Sequence, residues 1–210
     1  MKADLHCHTV VSRDSLSLQE DIVAACQRKM IDCLAVTDHN RLTVWREDRL
    51  KLIPGEEVMT TAGEIIGLFL IHEIPPNLAP LETVRRIKAQ GGLVCVPHPF
   101  DRFRRRSALR PAALAEIAPE VDLVEGLNAR NICPRDDFRA MQWAQANGLP
   151  VSAGSDAHWP GEIGTAYVEL DDFASASEFL SRLRQSSIGG GHSWPWVHLL
   201  TTWAKLRKRR

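Results

Sequence analysis

Histidines and carboxylates recur at the ends of apolar runs along this chain, beginning with Asp4-Leu5-His6-Cys7-His8-Thr9. A strand over 2–8 has a side-chain period of two, so His6 and His8 share one face while Leu5 and Cys7 take the other. Two imidazoles side by side are either a pair of metal ligands or a pair of solvated or core histidines, and the hexapeptide by itself leaves both readings open. Thr37-Asp38-His39-Asn40, Pro54-Gly55-Glu56-Glu57, Pro97-His98-Pro99 and Gly154-Ser155-Asp156-Ala157-His158 repeat the arrangement after later apolar runs. The repetition favours one shared site at the carboxyl ends of several strands.

Between these points the pattern alternates. Ser17-Leu18-Gln19-Glu20 has the form of a capping box, and Leu18, Ile22, Cys26 and Met30 follow at helical spacing as a buried face. A strand is expected over 33–36, a short helix over 41–50 and a hairpin over 58–71 that turns at Ala62-Gly63. Pro80 opens a helix that stops at Gly91-Gly92; strands over 93–96, 121–124, 150–153 and 166–170 and helices over 111–117, 134–146 and 173–183 complete the series. Alternating strands and helices predict an α/β fold with a largely parallel sheet. Seven or so strands in 210 residues suit a small closed barrel, and neither GxGxxG nor GxxxxGK[ST] occurs.

Charge narrows the partners. With 26 basic and 26 acidic residues there is no global field to draw nucleic acid or a membrane. The five cysteines, Cys7, Cys26, Cys33, Cys95 and Cys133, are odd in number, have no CxxC spacing and lie mostly in apolar runs, which suits a reducing compartment. With no leader-like opening and no 18-residue apolar stretch, a soluble cytoplasmic protein without a transmembrane segment is expected. One domain over 1–188 is expected, followed by a tail over 189–210 hinged at Gly189-Gly190-Gly191. In that tail Trp194, Trp196, Val197, Leu199, Leu200, Trp203 and Leu206 accompany Lys205, Arg207, Lys208, Arg209 and Arg210. It reads as a helix docked on the barrel with a solvated basic end, and secondarily as a membrane-surface anchor or nucleic-acid arm.

The DLHxHT opening, TDHN, the GxE at Gly55 to Glu57, the PHP tripeptide at Pro97 to Pro99 and GSDAH come in the order of the polymerase and histidinol phosphatase (PHP) superfamily, which the chain resembles over 4–158. The resemblance implies a distorted (β/α)7 barrel with up to three metal ions at its carboxyl-terminal mouth, and in most members phosphoester hydrolysis. It places His6, His8, Glu57 and Asp156 on a first ion. Glu57 would bridge to a second ion with His98 and Glu64, and His39, His158 and a first-loop residue would hold a third. Asp14 has the expected spacing for that last ligand, with Ser12 as the alternative. Many relatives carry histidine where this chain has Glu64, a harder donor that favours manganese, iron or magnesium over zinc. Two or three divalent ions (Zn, Mn or Fe, with Mg as an option) are implied.

The chemistry suits these residues. Cations about 3.5–4 Å apart lower the pKa of water, clamp phosphoryl oxygens and neutralise a leaving alkoxide. Neutral imidazoles with a few carboxylates hold such ions without cancelling their charge. Asp38 is expected to orient the His39 ring from behind, with capping of the next helix as the alternative. Arg13, Arg102 and Arg130 are candidate phosphate donors or solvated arginines. Glu125 and Asn128 are expected behind the ligands or in packing; Glu56 faces away from Glu57, and His72, His192 and His198 are structural. The expected substrate is a small phosphorylated metabolite, a nucleotide or an oligonucleotide end, with no stable nucleic-acid complex; the competing reading is a non-catalytic metal-binding scaffold.

Overall fold

Among the described residues nine strands form one sheet in the order β7-β6-β5-β4-β3-β2-β1-β8-β9. They are β1 (Lys2–Cys7), β2 (Cys33–His39), β3 (Lys51–Thr60), β4 (Gly63–Leu68), β5 (Leu93–Val96), β6 (Leu123–Asn128), β7 (Val151–Gly154), β8 (Ala166–Glu169) and β9 (Ser187–Gly190). Helices α1 (Gln19–Lys29), α2 (Pro80–Lys88), α3 (Pro111–Ile117), α4 (Pro134–Ala146), α5 (Ala176–Leu183) and α6 (Val197–Arg207) complete the chain. This computed structural model describes residues 1–194 and 196–208, without the side chains of His198, Leu199 and Leu200. The expectations for those three side chains and for Arg209 and Arg210 lie outside the described residues.

The sheet curls into a nearly closed barrel. The segment leaving β7 returns to β1, where Asp156 N–H donates to the His6 carbonyl at 2.8 Å and His8 N–H to the Ala157 carbonyl at 2.9 Å. Gly154 permits the approach: a Cβ there would lie 2.4 Å from the His6 Cβ and 2.8 Å from the His6 nitrogen. Ala3, Leu5, Cys33, Ala35, Ile53, Ile66, Leu68, Phe173 and Phe179 share one core cluster with other barrel residues, while Ile22, Val23 and Cys26 of α1 pack with Cys7, Leu34 and Val36.

The sheet is mixed rather than largely parallel. The β3–β4 hairpin reverses the chain, so β3–β4 and β4–β5 run antiparallel, as do β1–β8 and β8–β9. The helix expected over 41–50 is absent. Asn40 sits at φ 54°, the Thr43 hydroxyl donates to Asp38, and the Leu42 N–H donates to Glu73, so local side-chain bonds replace helical ones. The capping box is not made either, because α1 starts at Gln19 with Leu18 as its cap. Leu18 and Met30 are exposed, and the buried face of α1 is Ile22, Val23, Ala25 and Cys26. Leu5 and Cys7 part company: a register shift between Asp4 and Cys7 sends Leu5 to the core cluster above and Cys7 under α1. Gly189 and Gly190, expected in a hinge, pair with β8 inside β9.

Candidate metal centre

Nine side chains meet in one place, from the carboxyl ends of parallel strands and the loops after them and, because β4 runs the other way, from its amino end. His6 is the penultimate residue of β1 and His8 follows the strand; the first loop adds Asp14, and β2 ends on His39. Glu57 on β3 stands in register with His39, and Glu64 on β4 opposes Met59, one turn of the pleat along. His98 follows β5, while Asp156 and His158 follow β7.

The inner group is tight. His6 Nε2 and His8 Nε2 are 3.2 Å apart; Glu57 Oε2 is 3.5 Å from the first and 3.4 Å from the second, and Asp156 Oδ1 is 3.7 and 3.3 Å from them. Glu57 then reaches His98 Nε2 with Oε1 at 3.0 Å and His39 Nδ1 with Oε2 at 3.0 Å. Glu64 lies 3.8 Å from His98 and 3.6 Å from His39. Asp14 Oδ1 closes the set at 3.4 Å from His158 Nε2 and 3.6 Å from His39 Nε2.

Partners behind three of the rings fix their tautomers. His6 Nδ1–H donates to Glu125 Oε1 at 2.9 Å, and His158 Nδ1–H to the Asp156 carbonyl at 2.8 Å. Ser12 Oγ donates to Asp38 Oδ1 at 2.6 Å and accepts from His8 Nδ1–H at 3.2 Å and from the His39 N–H at 3.0 Å. In their neutral forms all three rings therefore turn an Nε2 lone pair toward the carboxylates. Asp38 acts through Ser12 on His8 rather than on the His39 ring, and with no helix after Asn40 it caps nothing. Glu125 has a second duty, since its Oε2 accepts from the His98 N–H at 2.8 Å and from Asn128 Nδ2 at 2.9 Å.

The centre fits a cation. Lone pairs and carboxylate oxygens converge there, and Asp14 Oδ1 and His98 Nδ1 are buried without a hydrogen-bond partner. Burial opposes charge on His6, yet Glu125, Asp156 and Glu57 outweigh it and hold its pKa well above the ordinary value. His39 is likewise raised against burial, mainly by Glu57 and Asp14. Glu57 stays well below the carboxylate range despite burial because of His6 and His39, and Asp156 because of Arg104 and His6. Burial, with Glu57 beside it, pushes Glu64 up to about 7. The field at the centre thus calls for positive charge. His98 and Asp156 hold positive φ values of 30° and 52°, a strain of about 1–3 kcal/mol each that the surrounding bonds maintain.

The remaining expected residues divide. Glu56 points away and accepts the Ile74 N–H at 2.8 Å. Arg13 lines a cleft of about 690 Å³ on one side of the centre. Arg130 lines a second cleft of about 430 Å³ but is buried, its guanidinium donating to the Val197 carbonyl at 3.1 Å and to the Thr201 hydroxyl. Arg102 lies apart, paired with Asp136 at 2.7 Å. His72 is exposed, and His192 Nε2 pairs with Asp137 at 2.6 Å. Sequence reasoning missed Arg104, whose Nη1 lies 2.6 Å from Asp156 Oδ2. Nothing in an irregular basic loop distinguishes Arg104 from Arg102. It also missed Lys205 of α6, 3.1 Å from Asp14 Oδ2, which only the docking of the tail reveals.

Residues 134–188 match the PHP-associated family model. The uncharacterized protein MJ0417 of Methanocaldococcus jannaschii is 40% identical over 194 residues, 88% of this chain and 79% of that protein. A two-domain protein of Bacteroides vulgatus containing a predicted PHP-like metal-dependent phosphoesterase superposes with a TM-score of 0.69 at 19% identity, over 91% of this chain. The chain belongs to the PHP superfamily. It spans 65% of the Bacteroides protein's length. The PHP fold is shared with the lesion-specific endonuclease PfuEndoQ of Pyrococcus furiosus, at a TM-score of 0.59 and 15% identity over 89% of this chain and 57% of that one. Among the described residues no helix is long and apolar enough to cross a membrane.

Proposed function

We propose that the protein is a metal-dependent phosphoesterase that hydrolyses a small phosphorylated metabolite, a nucleotide or an oligonucleotide end at a di- or trinuclear centre. The observation that carries this reading is the inner group: two imidazole lone pairs and two carboxylate oxygens within 3.2–3.7 Å of one another across four contacts and the His6–His8 pair. His6, His8, Glu57 and Asp156 would hold a first ion; Glu57, His98 and Glu64 a second; and Asp14, His39 and His158 a third. Divalent ions in such a set supply Lewis acidity toward phosphoryl oxygen and lower the pKa of water.

The chain's own residues do the rest. Glu125 and Ser12 keep the His6 and His8 lone pairs aimed inward, so binding needs no rotation of either ring. Arg104 holds Asp156 ionised and lies on the wall of the 430 Å³ cleft beside Arg106, where an anionic ester would be drawn in. That the Bacteroides neighbour contains a predicted PHP-like metal-dependent phosphoesterase and the Pyrococcus neighbour is a lesion-specific endonuclease supports phosphoester chemistry on this fold, and the full complement of nine side chains supports an active centre over a retired scaffold.

Protein stripped with chelator and reconstituted with manganese should hydrolyse p-nitrophenyl phosphate, bis-p-nitrophenyl phosphate or a nucleotide from a small panel. Absence of turnover with manganese, iron, zinc and magnesium across that panel would contradict the proposal.

A further inference from the structure

The basic tail is built into the mouth of the barrel. Val197 and Ala204 of α6 are buried, and Arg130 donates to the Val197 carbonyl and the Thr201 hydroxyl. The Ser193 N–H donates to the Ala129 carbonyl at 2.6 Å. At the far end Lys208 Nζ donates to the carbonyls of Val10 and Ser12 at 2.6 and 2.7 Å. The helix is therefore tied to the loop after β6 and to the loop that carries Ser12 and Asp14. Between those ties Lys205 lies on the wall of both clefts, its side chain half exposed. The 430 Å³ cleft that Lys205 lines is shared with Arg104 and Arg106 and with Asp14, His39, Glu64, Asp156 and His158 of the centre.

We propose that Lys205 is a substrate-binding residue, supplied by the C-terminal helix, that takes a phosphoryl oxygen at the mouth of the centre in the cleft that Arg104 also lines. An ammonium has three N–H donors. Asp14 Oδ2 pairs with it at 3.1 Å while Oδ1 is turned toward His39 and His158, and the half-exposed ammonium lines the cleft with donors to spare. Lys205 is a point charge on a flexible stem, so it can follow an oxygen that the fixed Arg104 cannot reach. Arg130 is in this view a positioning residue, whose guanidinium serves the helix rather than the substrate. The inference rests on the phosphoesterase reading for the word substrate, but the anion site itself does not.

The test uses full-length, manganese-loaded protein as wild type, Lys205→Ala and Lys205→Arg. Inorganic phosphate is titrated by calorimetry, esters are assayed for KM and kcat, and manganese is counted. In Lys205→Ala, phosphate affinity should fall and KM should rise, each about tenfold, as for loss of one charge-assisted hydrogen bond. kcat should stay within about twofold, the signature of binding felt equally in ground and transition states. Lys205→Arg should recover most of both, with manganese content constant throughout. Unchanged phosphate affinity and KM in Lys205→Ala would overturn the proposal, as would loss of manganese, which would make Lys205 a prop for Asp14 alone. Lys205-dependent phosphate binding without turnover of any ester would uphold the anion site while removing the phosphoesterase reading.

Discussion

The two halves of the metal centre are built to different standards of enclosure. In the inner half, His8 and Asp156 are 0% and 1% exposed, and His6 and Glu57 are equally sealed. Each inner ring is held from behind by Glu125 or by the Ser12–Asp38 pair. In the outer half, His39 is 27% and Asp14 10% exposed, both face open clefts, and Asp14 leans on Lys205 from a helix at the chain's end. Preorganisation therefore declines from the strand ends toward the solvent. An ion held by the inner half should exchange slowly, whereas one held by Asp14, His39 and His158 should come and go with substrate and buffer.

Breaking the inner half should have the largest effect. His8→Ala or Asp156→Ala should lower turnover by more than about 100-fold, the upper end for changes one step further from a metal, and should cost bound metal while circular dichroism stays native. His39→Ala should leave at least one tightly held ion. Equal metal loss from the two halves, read by elemental analysis, would erase the distinction.

Gly154→Ala attacks the same half through the backbone, because the new methyl would meet His6 at 2.4 Å. Overpacking of this kind costs about 1–3 kcal/mol, or roughly 2–4 °C of Tm per kcal/mol in a domain of this size. Metal affinity should fall with Tm, and an unchanged Tm would show that β1 and β7 can separate freely.

Glu125→Gln keeps the shape but weakens the hold on the His6 ring. Metal affinity should drop about 10–100-fold, as is usual when the group behind a ligating imidazole is changed. A value equal to wild type would place the orientation of His6 elsewhere.

The smallest effect concerns Glu56, which burial pushes up to about 7 while its neighbour Glu57 stays ionised. A raised folded-state pKa means that the folded protein binds the extra proton between the unfolded value near 4.5 and about 7. Its contribution is complete below 4.5 and is lost as pH rises through that window. Glu56→Gln should flatten the fall in Tm between pH 5 and 8 by a few degrees, roughly. An identical pH profile in the variant would show that Glu56 ionises like a solvated acid.

The sequence made the barrel's frame readable where periodicity is strong. Ile22 and Cys26, Pro80 with the Gly91-Gly92 stop, and the hairpin turn at Ala62-Gly63 all declare their elements locally. The segment over 41–50 does not, because its shape follows from Asp38 and Glu73, which compete for its polar groups. The mixed sheet follows from where β4 and β8 return, a property of closure rather than of any one strand.

Within the site, the nine candidate ligands carry their own signal, since each is a histidine or carboxylate on or just after a strand or, for Asp14, at a telling spacing in the loop that follows one. Arg104 and Lys205 carry none: arginine and lysine are ordinary loop and tail residues until neighbours from distant segments surround them. Arg102 and Arg104 have the same composition and opposite fates, one on Asp136 and the other on Asp156.

The central claim is that side chains from six strands and their loops converge on divalent ions. Anomalous diffraction at the manganese edge from crystals grown with manganese tests it most directly. The account predicts a strong peak bounded by His6, His8, Glu57 and Asp156, with a second beside Glu57, His98 and Glu64. A featureless map at those side chains, with manganese found elsewhere or nowhere, would contradict it.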